Sequence, residues 1–160
     1  MKRLISADTS EILGFTPAEL KQSIRASEGR VVLSENITVL IPQVTDITNA
    51  EIARAFGADL ILLNFLDVDH PYIHGLDETG DPVRRLRELV GRPVGINLEP
   101  VDTAAAMHEE RQDVAPGRRA LRESIVRAGE LGADFLCLTG NPGSGVSNAQ
   151  IAETVRLCKE

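Results

Sequence analysis

Apolar residues fall along the chain in four short runs: Val31-Val32-Leu33, Leu60-Ile61-Leu62-Leu63, Val94-Gly95-Ile96-Asn97-Leu98 and Phe135-Leu136-Cys137-Leu138. Each is closed by turn-forming or polar residues, and runs of this length read as buried strands. Between them lie stretches with helix-start signals. Thr16-Pro17-Ala18-Glu19 is a capping box with proline at the first helical position, leading into Leu20, Ile24 and Ala26. Thr48-Asn49-Ala50-Glu51 repeats the box before Ile52, Ala55 and Phe56. Asp81-Pro82 opens a third helix through Val83, Leu86 and Leu89-Val90. A fourth is predicted from about Gly117 to Leu131, and Ser147-Asn148-Ala149-Gln150 opens a fifth.

The order is helix, then strand–helix four times, which predicts an α/β fold with a parallel sheet and right-handed crossovers. The chain also echoes itself. Ala55-Phe56-Gly57-Ala58-Asp59-Leu60 resembles Glu130-Leu131-Gly132-Ala133-Asp134-Phe135, and Gly29-Arg30-Val31 resembles Gly91-Arg92-Pro93-Val94. In the first pair a helix ends, glycine takes the left-handed cap and a strand begins. Such echoes suit a fold of repeated β/α units. Residues 1–160 read as a single (β/α)4 domain, the N-terminal half of a TIM-type barrel, with an open four-stranded doubly wound sheet as the alternative. The predicted helices each carry a single apolar face, which favours the half-barrel. The last helix runs to Cys158-Lys159-Glu160 without a stop signal, so further units are expected beyond Glu160.

Composition narrows the class. With no Trp, one Tyr and four Phe, the core must be built from Val, Ile, Leu and Ala, as in buried parallel strands. A formal charge of −7 disfavours nucleic acid as a partner. No apolar stretch is long enough to cross a bilayer, and the N-terminus lacks the apolar region of a signal peptide. Cys137 and Cys158 are expected to be reduced, which fits a cytoplasmic protein.

In either fold the ligand binds at the carboxyl ends of the strands. Those ends are polar: Ser34-Glu35-Asn36, then Asn64, then Asn97 with Glu99, then Thr139-Gly140-Asn141. Glu35, Asn64, Asn97 and Glu99 are the candidate catalytic residues. Two carboxylates facing one pocket can divide acid and base duties or hold a divalent cation such as magnesium. Their plainer reading is solvation or pairing with a basic side chain. The run from Thr139 to Asn148 places glycines around a serine just before a helix, so Thr139, Gly140, Asn141, Gly143, Ser144, Gly145 and Ser147 form a candidate phosphate or carboxylate loop. Its plainer reading is a flexible loop with Ser147 as a helix cap. Asp67, Asp69 and His70 are an alternative metal set, while Tyr72 and His74 fit a lid. The Arg84, Arg85 and Arg87 cluster reads as a solvated helix face.

Four stretches carry a family resemblance: Ser27-Glu28-Gly29-Arg30-Val31; Asn49-Ala50-Glu51 with Ala55 to Asn64; Gly91 to Pro100; and Leu138-Thr139-Gly140-Asn141-Pro142-Gly143. Through them the chain resembles an uncharacterised family of bacterial (β/α)-barrel proteins labelled phosphoenolpyruvate phosphonomutase-like, or haloacid dehalogenase-like. The resemblance implies a barrel fold. A dehalogenase would carry an early Asp-x-Asp at a strand end, whereas here that spacing occurs only at Asp67-Val68-Asp69. A phosphonomutase would carry an acidic run for magnesium, for which Glu35 and Glu99 are a partial substitute. The expected function is lyase or isomerase chemistry on a small phosphorylated or carboxylated metabolite. No lysine sits at a predicted strand end, which argues against a Schiff base. The alternative is a non-catalytic half-barrel that binds a ligand or oligomerises. A homo-oligomer is expected, because a half-barrel exposes a sheet edge.

Overall fold

The capping signals become helix starts. A computed structural model of the chain describes residues 2–76 and 80–160. Helix α1 (Thr9–Leu13) follows a 3₁₀ turn at Leu4–Ser6 and precedes α2 (Pro17–Ala26). In α2 the Thr16 hydroxyl oxygen accepts the Glu19 amide, and the Glu19 carboxylate accepts the Thr16 amide at 2.8 Å. Helix α3 (Asn49–Ala55) begins with the same reciprocal pair, Thr48 and Glu51. Helix α4 spans Pro82–Val90 and α5 spans Arg122–Glu130. In α6 (Asn148–Leu157) Ser147 caps the amide of Gln150. No helix among the described residues is long and apolar enough to cross a membrane.

Strands β1 (Leu33–Ile37), β2 (Leu60–Asn64), β3 (Val94–Leu98) and β4 (Phe135–Leu138) form one all-parallel sheet in the order β1-β2-β3-β4. The order never reverses, so the sheet lacks the switch point that organises a doubly wound fold. One core joins Ile61, Leu63, Val94, Ile96 and Leu98 to Ala50 of α3, Val83, Leu86 and Val90 of α4, and Ala128 of α5. These helices therefore share one face, as in the wall of half a barrel. Against the opposite face, at the amino ends of the strands, Leu4, Ala7, Ile12 and Leu20 pack with Leu60, flanked by Phe135.

The sequence echo is a structural repeat. Gly57 and Gly132 take φ of +100° and +90°, where a side chain would be strained. The next residues donate back to the helix, Ala58 to the Ala53 carbonyl and Ala133 to the Ala128 carbonyl. Asp59 and Asp134 then each clasp the preceding strand. The Asp59 amide donates to the Val32 carbonyl while its carboxylate accepts the Val32 amide at 2.9 Å. Asp134 treats Val94 identically, at 2.8 and 2.9 Å.

Four expectations need correction. Strand β1 starts at Leu33 rather than Val31, so Ser34, Glu35 and Asn36 lie within it and not beyond its end. It is also an edge strand, with Leu33 exposed rather than buried. The fourth predicted helix starts at Arg122, because Pro116–Arg118 forms a 3₁₀ turn and Arg119 bridges to Glu99 in parallel. The Arg84–Arg87 cluster is not uniformly solvated. Arg87 makes a two-pronged ion pair with Asp134 at 2.8 and 2.9 Å and also donates to the Leu13 carbonyl. Finally, the segment after β2 is pinned rather than lid-like through Ile73, since Leu66, Val68 and Ile73 are buried and the His74 amide donates to the Thr38 carbonyl.

Candidate functional site

Parallel register decides which side chains share the concave face. Glu35 pairs with Leu62, Ile37 with Asn64, and Asn97 with Cys137. Alternation along each strand places Glu35, Asn64, Asn97 and Thr139 on the face away from the helices. Ser34 falls on the helix side, level with Ile61, so it takes no part.

The four side chains form one hydrogen-bonded chain across all four strands. The Thr139 hydroxyl donates to Asn97 Oδ1 at 2.5 Å, the Asn97 amide donates to Asn64 Oδ1 at 3.1 Å, and the Asn64 amide donates to Glu35 Oε1 at 2.5 Å. Every donor points the same way. Asn64 Oδ1 also accepts the backbone amide of Phe65 at 2.8 Å, which fixes the orientation of that amide group. The chain ends on the Glu35 carboxyl oxygen, which accepts the last donor. Asn97 is buried, Asn64 half-buried, and Glu35 and Thr139 are exposed, so the chain surfaces at both ends.

Glu99 has a different role from the one expected. It lies two facing positions further along the sheet than Glu35, about 13 Å along the strand direction, so the two do not share a layer. It is buried and held by neighbours: Oε1 accepts Arg118 Nη2 at 3.0 Å, Oε2 accepts Asn141 Nδ2 at 3.2 Å, and the Ser144 hydroxyl, 3.3 Å from Oε2, is shared with the Asn141 carbonyl. Glu99 thus holds other residues in place. Among the described residues no three His, Cys, Asp or Glu side chains come close enough to hold a metal ion, and this includes Glu35, Asp67, Asp69 and His70. Asp67 instead accepts the Asp69 amide as a local turn.

The glycine-rich loop is engaged internally. The amide of Gly143 donates to Asn141 Oδ1, that of Ser144 to the Asn141 carbonyl, and that of Gly145 to the Pro142 carbonyl. Arg111 Nη1 donates to the carbonyls of Ser144 and Asp102. Gly140 is exposed and links Thr139 to this turn. At the start of α6 the Asp102 carboxyl, held below the usual carboxylate range chiefly by a hydrogen bond from Ser147, already supplies a negative group. A cleft of about 390 Å³ beside the loop is lined by Glu109 and Glu110. The amides of Gly143, Ser144 and Gly145 are thus engaged within the turn, and the cleft beside it carries negative side chains.

Two residues at the mouth carry no local signal in the sequence. Phe65, directly after β2, has φ of +63°, a strained conformation for a bulky residue. The Arg118 guanidinium carbon sits 4.1 Å from its ring centroid. Arg118 lies within the stretch that reads as the start of a helix, and only its pairing with Glu99, 19 residues away in sequence, brings it to the strand ends.

No curated protein and no solved structure matches the chain, so neither label attached to the resemblance gains a named relative. Residues 5–160 match the family described as a domain of unknown function (DUF7916), and the chain belongs to that family.

Proposed function

We propose that this is a barrel-type enzyme unit acting on a small carboxylated or phosphorylated metabolite by lyase or isomerase chemistry. The supporting observation is the one-way hydrogen-bond chain that delivers its last donor to the exposed Glu35. Asn64 holds one carboxylate oxygen and leaves the other to meet a substrate proton, while Asn97 and Thr139 lock the orientation of the Asn64 amide. That is the preparation a general base needs. Glu35 would take a proton from a carbon next to the substrate's carboxyl or carbonyl group; the resulting carbanion would either be reprotonated by the Glu35 carboxyl for isomerisation, or use its electron pair to form a C=C bond as the bond to a leaving group on the adjacent carbon breaks, for elimination. The exposed Thr139 edge can bind substrate hydroxyl or carbonyl oxygens. The fold supports the reading by analogy, since barrel chemistry sits at this end of the strands.

The test is a thermal-shift screen of carboxylated and phosphorylated metabolites, with and without magnesium, followed by turnover assays of the hits. A ligand that binds the native state raises the melting temperature. Glu35→Gln should then keep binding and lose turnover by roughly 100-fold or more. The absence of any shift across the screen, or full turnover in Glu35→Gln, would remove the reading.

A second reading, an oligomerising unit, has its own observation. Strand β1 is an edge with Val32 55% and Leu33 45% exposed. Between β4, α5 and α6 lies a cleft of about 430 Å³ whose lining includes Ile125, Leu136, Leu138 and Val155. Both features suit burial against further strands. Mass measurement in solution separates this reading, because a stable monomer would leave both surfaces in water.

A further inference from the structure

Three of the six part-buried arginines among the described residues, Arg87, Arg111 and Arg119, spend their donors on the protein, whereas Arg54, Arg92 and Arg118 make at most one side-chain hydrogen bond each. Arg87 serves Asp134 and Leu13, Arg111 serves four backbone carbonyls, and Arg119 serves Val114 and Asp113. The Arg118 guanidinium has five N–H donors, and among the described residues it makes one side-chain hydrogen bond, to Glu99 Oε1. Yet it is held firmly. Phe65 covers one face, buried Glu99 fixes one corner, and the side chain is 19% exposed.

The backbone around it is equally constrained. Arg118 donates its amide to the Ala115 carbonyl and accepts the Glu99 amide, while the preceding carbonyl, Gly117, accepts the Val68 amide. Gly117 is pressed so closely against Asp67 that a Cβ would lie 1.9 Å from its carboxylate oxygen. Phe65 keeps its positive φ with its amide on Asn64 Oδ1, the same atom that carries the polar chain toward Glu35. A strained aromatic residue, a closely packed glycine and a buried carboxylate therefore all serve to place one guanidinium at the ends of β2 and β3.

We infer that Arg118 is the anion-binding residue of the site, and that the group it takes is a planar carboxylate lying in the guanidinium plane. This rests on the proposed function for its substrate and deepens it by naming the group recognised. With one face stacked and one corner taken, the remaining edge offers parallel N–H donors in a fixed fork, which matches the two oxygens of a carboxylate. Lysine cannot reproduce either the stacking or the fork. Phe65 and Glu99 act through Arg118 as positioning residues.

The test uses malonate as probe on the isotope-labelled full chain, following the Arg118 Nε–H resonance, assigned by its absence in Arg118→Lys. Sodium chloride at equal ionic strength is the control and inorganic phosphate the second arm. Malonate is expected to move the resonance saturably, chloride not at all, and phosphate only at higher concentration. Arg118→Lys, which keeps the charge beside Glu99 and hence the fold, should weaken malonate binding roughly 10- to 100-fold, and Phe65→Leu should weaken it less. Equal shifts with malonate and chloride, or equal malonate affinity in Arg118→Lys, overturn the inference. Stronger binding of phosphate overturns the planar-carboxylate assignment. If metabolites bind and turn over without Arg118, the inference fails and the enzyme reading survives. If malonate binds through Arg118 but no metabolite is turned over, the enzyme reading fails instead.

Discussion

Asp59 and Asp134 perform the same backbone task in two environments, so replacing each by alanine isolates what the environment adds. At Asp134 the change leaves the Val94 amide, fully buried, without its side-chain acceptor, at a cost of about 1–3 kcal/mol. It also strands Arg87, whose two charge-assisted bonds are lost. The two side chains are 13% and 21% exposed, between the buried pairs that cost about 3–5 kcal/mol to break and the surface pairs worth about 0–1. A further 1–2 kcal/mol is reasonable, giving roughly 3 kcal/mol in all. At Asp59 the partner amide belongs to exposed Val32 and can return to water, and the Asp59 carboxylate makes no ion pair among the described residues. Its loss should cost about 1 kcal/mol or less. Urea unfolding measures both. With a slope near 2 kcal/mol/M for a chain of this size, Asp134→Ala should lower the midpoint by about 1.5 M and Asp59→Ala by under about 0.5 M. Asp134→Asn, which keeps an acceptor for Val94, should fall between them. Equal midpoints for the two alanine variants would refute the assignment of the difference to burial and to Arg87.

Two further outcomes follow from the packing and the charges. A Cβ on Gly95 would lie 2.2 Å from the Phe135 ring, so Gly95→Ala should destabilise by about 1–3 kcal/mol, and Phe135→Leu should relieve part of that penalty in a double-mutant cycle. The Asp102 carboxyl is held below its ordinary range chiefly by Ser147 and then by the Ala104 amide. Its contribution is therefore present above the unfolded pKa of about 4 and lost as pH falls through the folded value, so circular dichroism should show α6 loosening in acid with a slope that Asp102→Asn reduces.

The sequence carried the repeat more fully than the site. Strands β2, β3 and β4 begin where their apolar runs begin, and both capping boxes form as spaced, because these signals are local and cooperative. Strand β1 was harder to place. At a sheet edge neither face is wholly buried, so Leu33, Glu35 and Ile37 alternate with Ser34 and Asn36 without a clear apolar side, and the β-branched Val31 and Val32 draw the boundary too early. Asn64, Asn97 and Thr139 were legible as polar residues breaking apolar runs. Glu99 was legible as a carboxylate at a strand end, but its chemistry was not, since that is set by Arg118 through a long-range bridge. The helix-forming residues around Arg118 point locally to a helix, and tertiary pairing overrides them.

What separates a working mouth from a merely wet surface is the contrast along the same face of the sheet. At the amino ends that face is apolar: Leu60, Leu62 and Phe135 are met by Leu4, Ile12 and their neighbours or by each other's strands. An apolar solution was therefore available, and this chain uses it one facing position below Asn64 and Asn97. Asn97 is buried beside strands of Leu, Ile and Val, and replacing it alone would take a partner from both the Asn64 carbonyl oxygen and the Thr139 hydroxyl, so an apolar residue is inexpensive there only if its neighbours become apolar too. Its retention makes sense only with its neighbours: Asn97 passes orientation from Thr139 to Asn64, and Asn64 both holds Glu35 and supports the strained Phe65 on which Arg118 rests. The proposed base and the proposed anion holder would thus meet in a single side chain. Exchanging Asn64 should disturb both at once, whereas exchanging Arg118 should disturb one and leave the other.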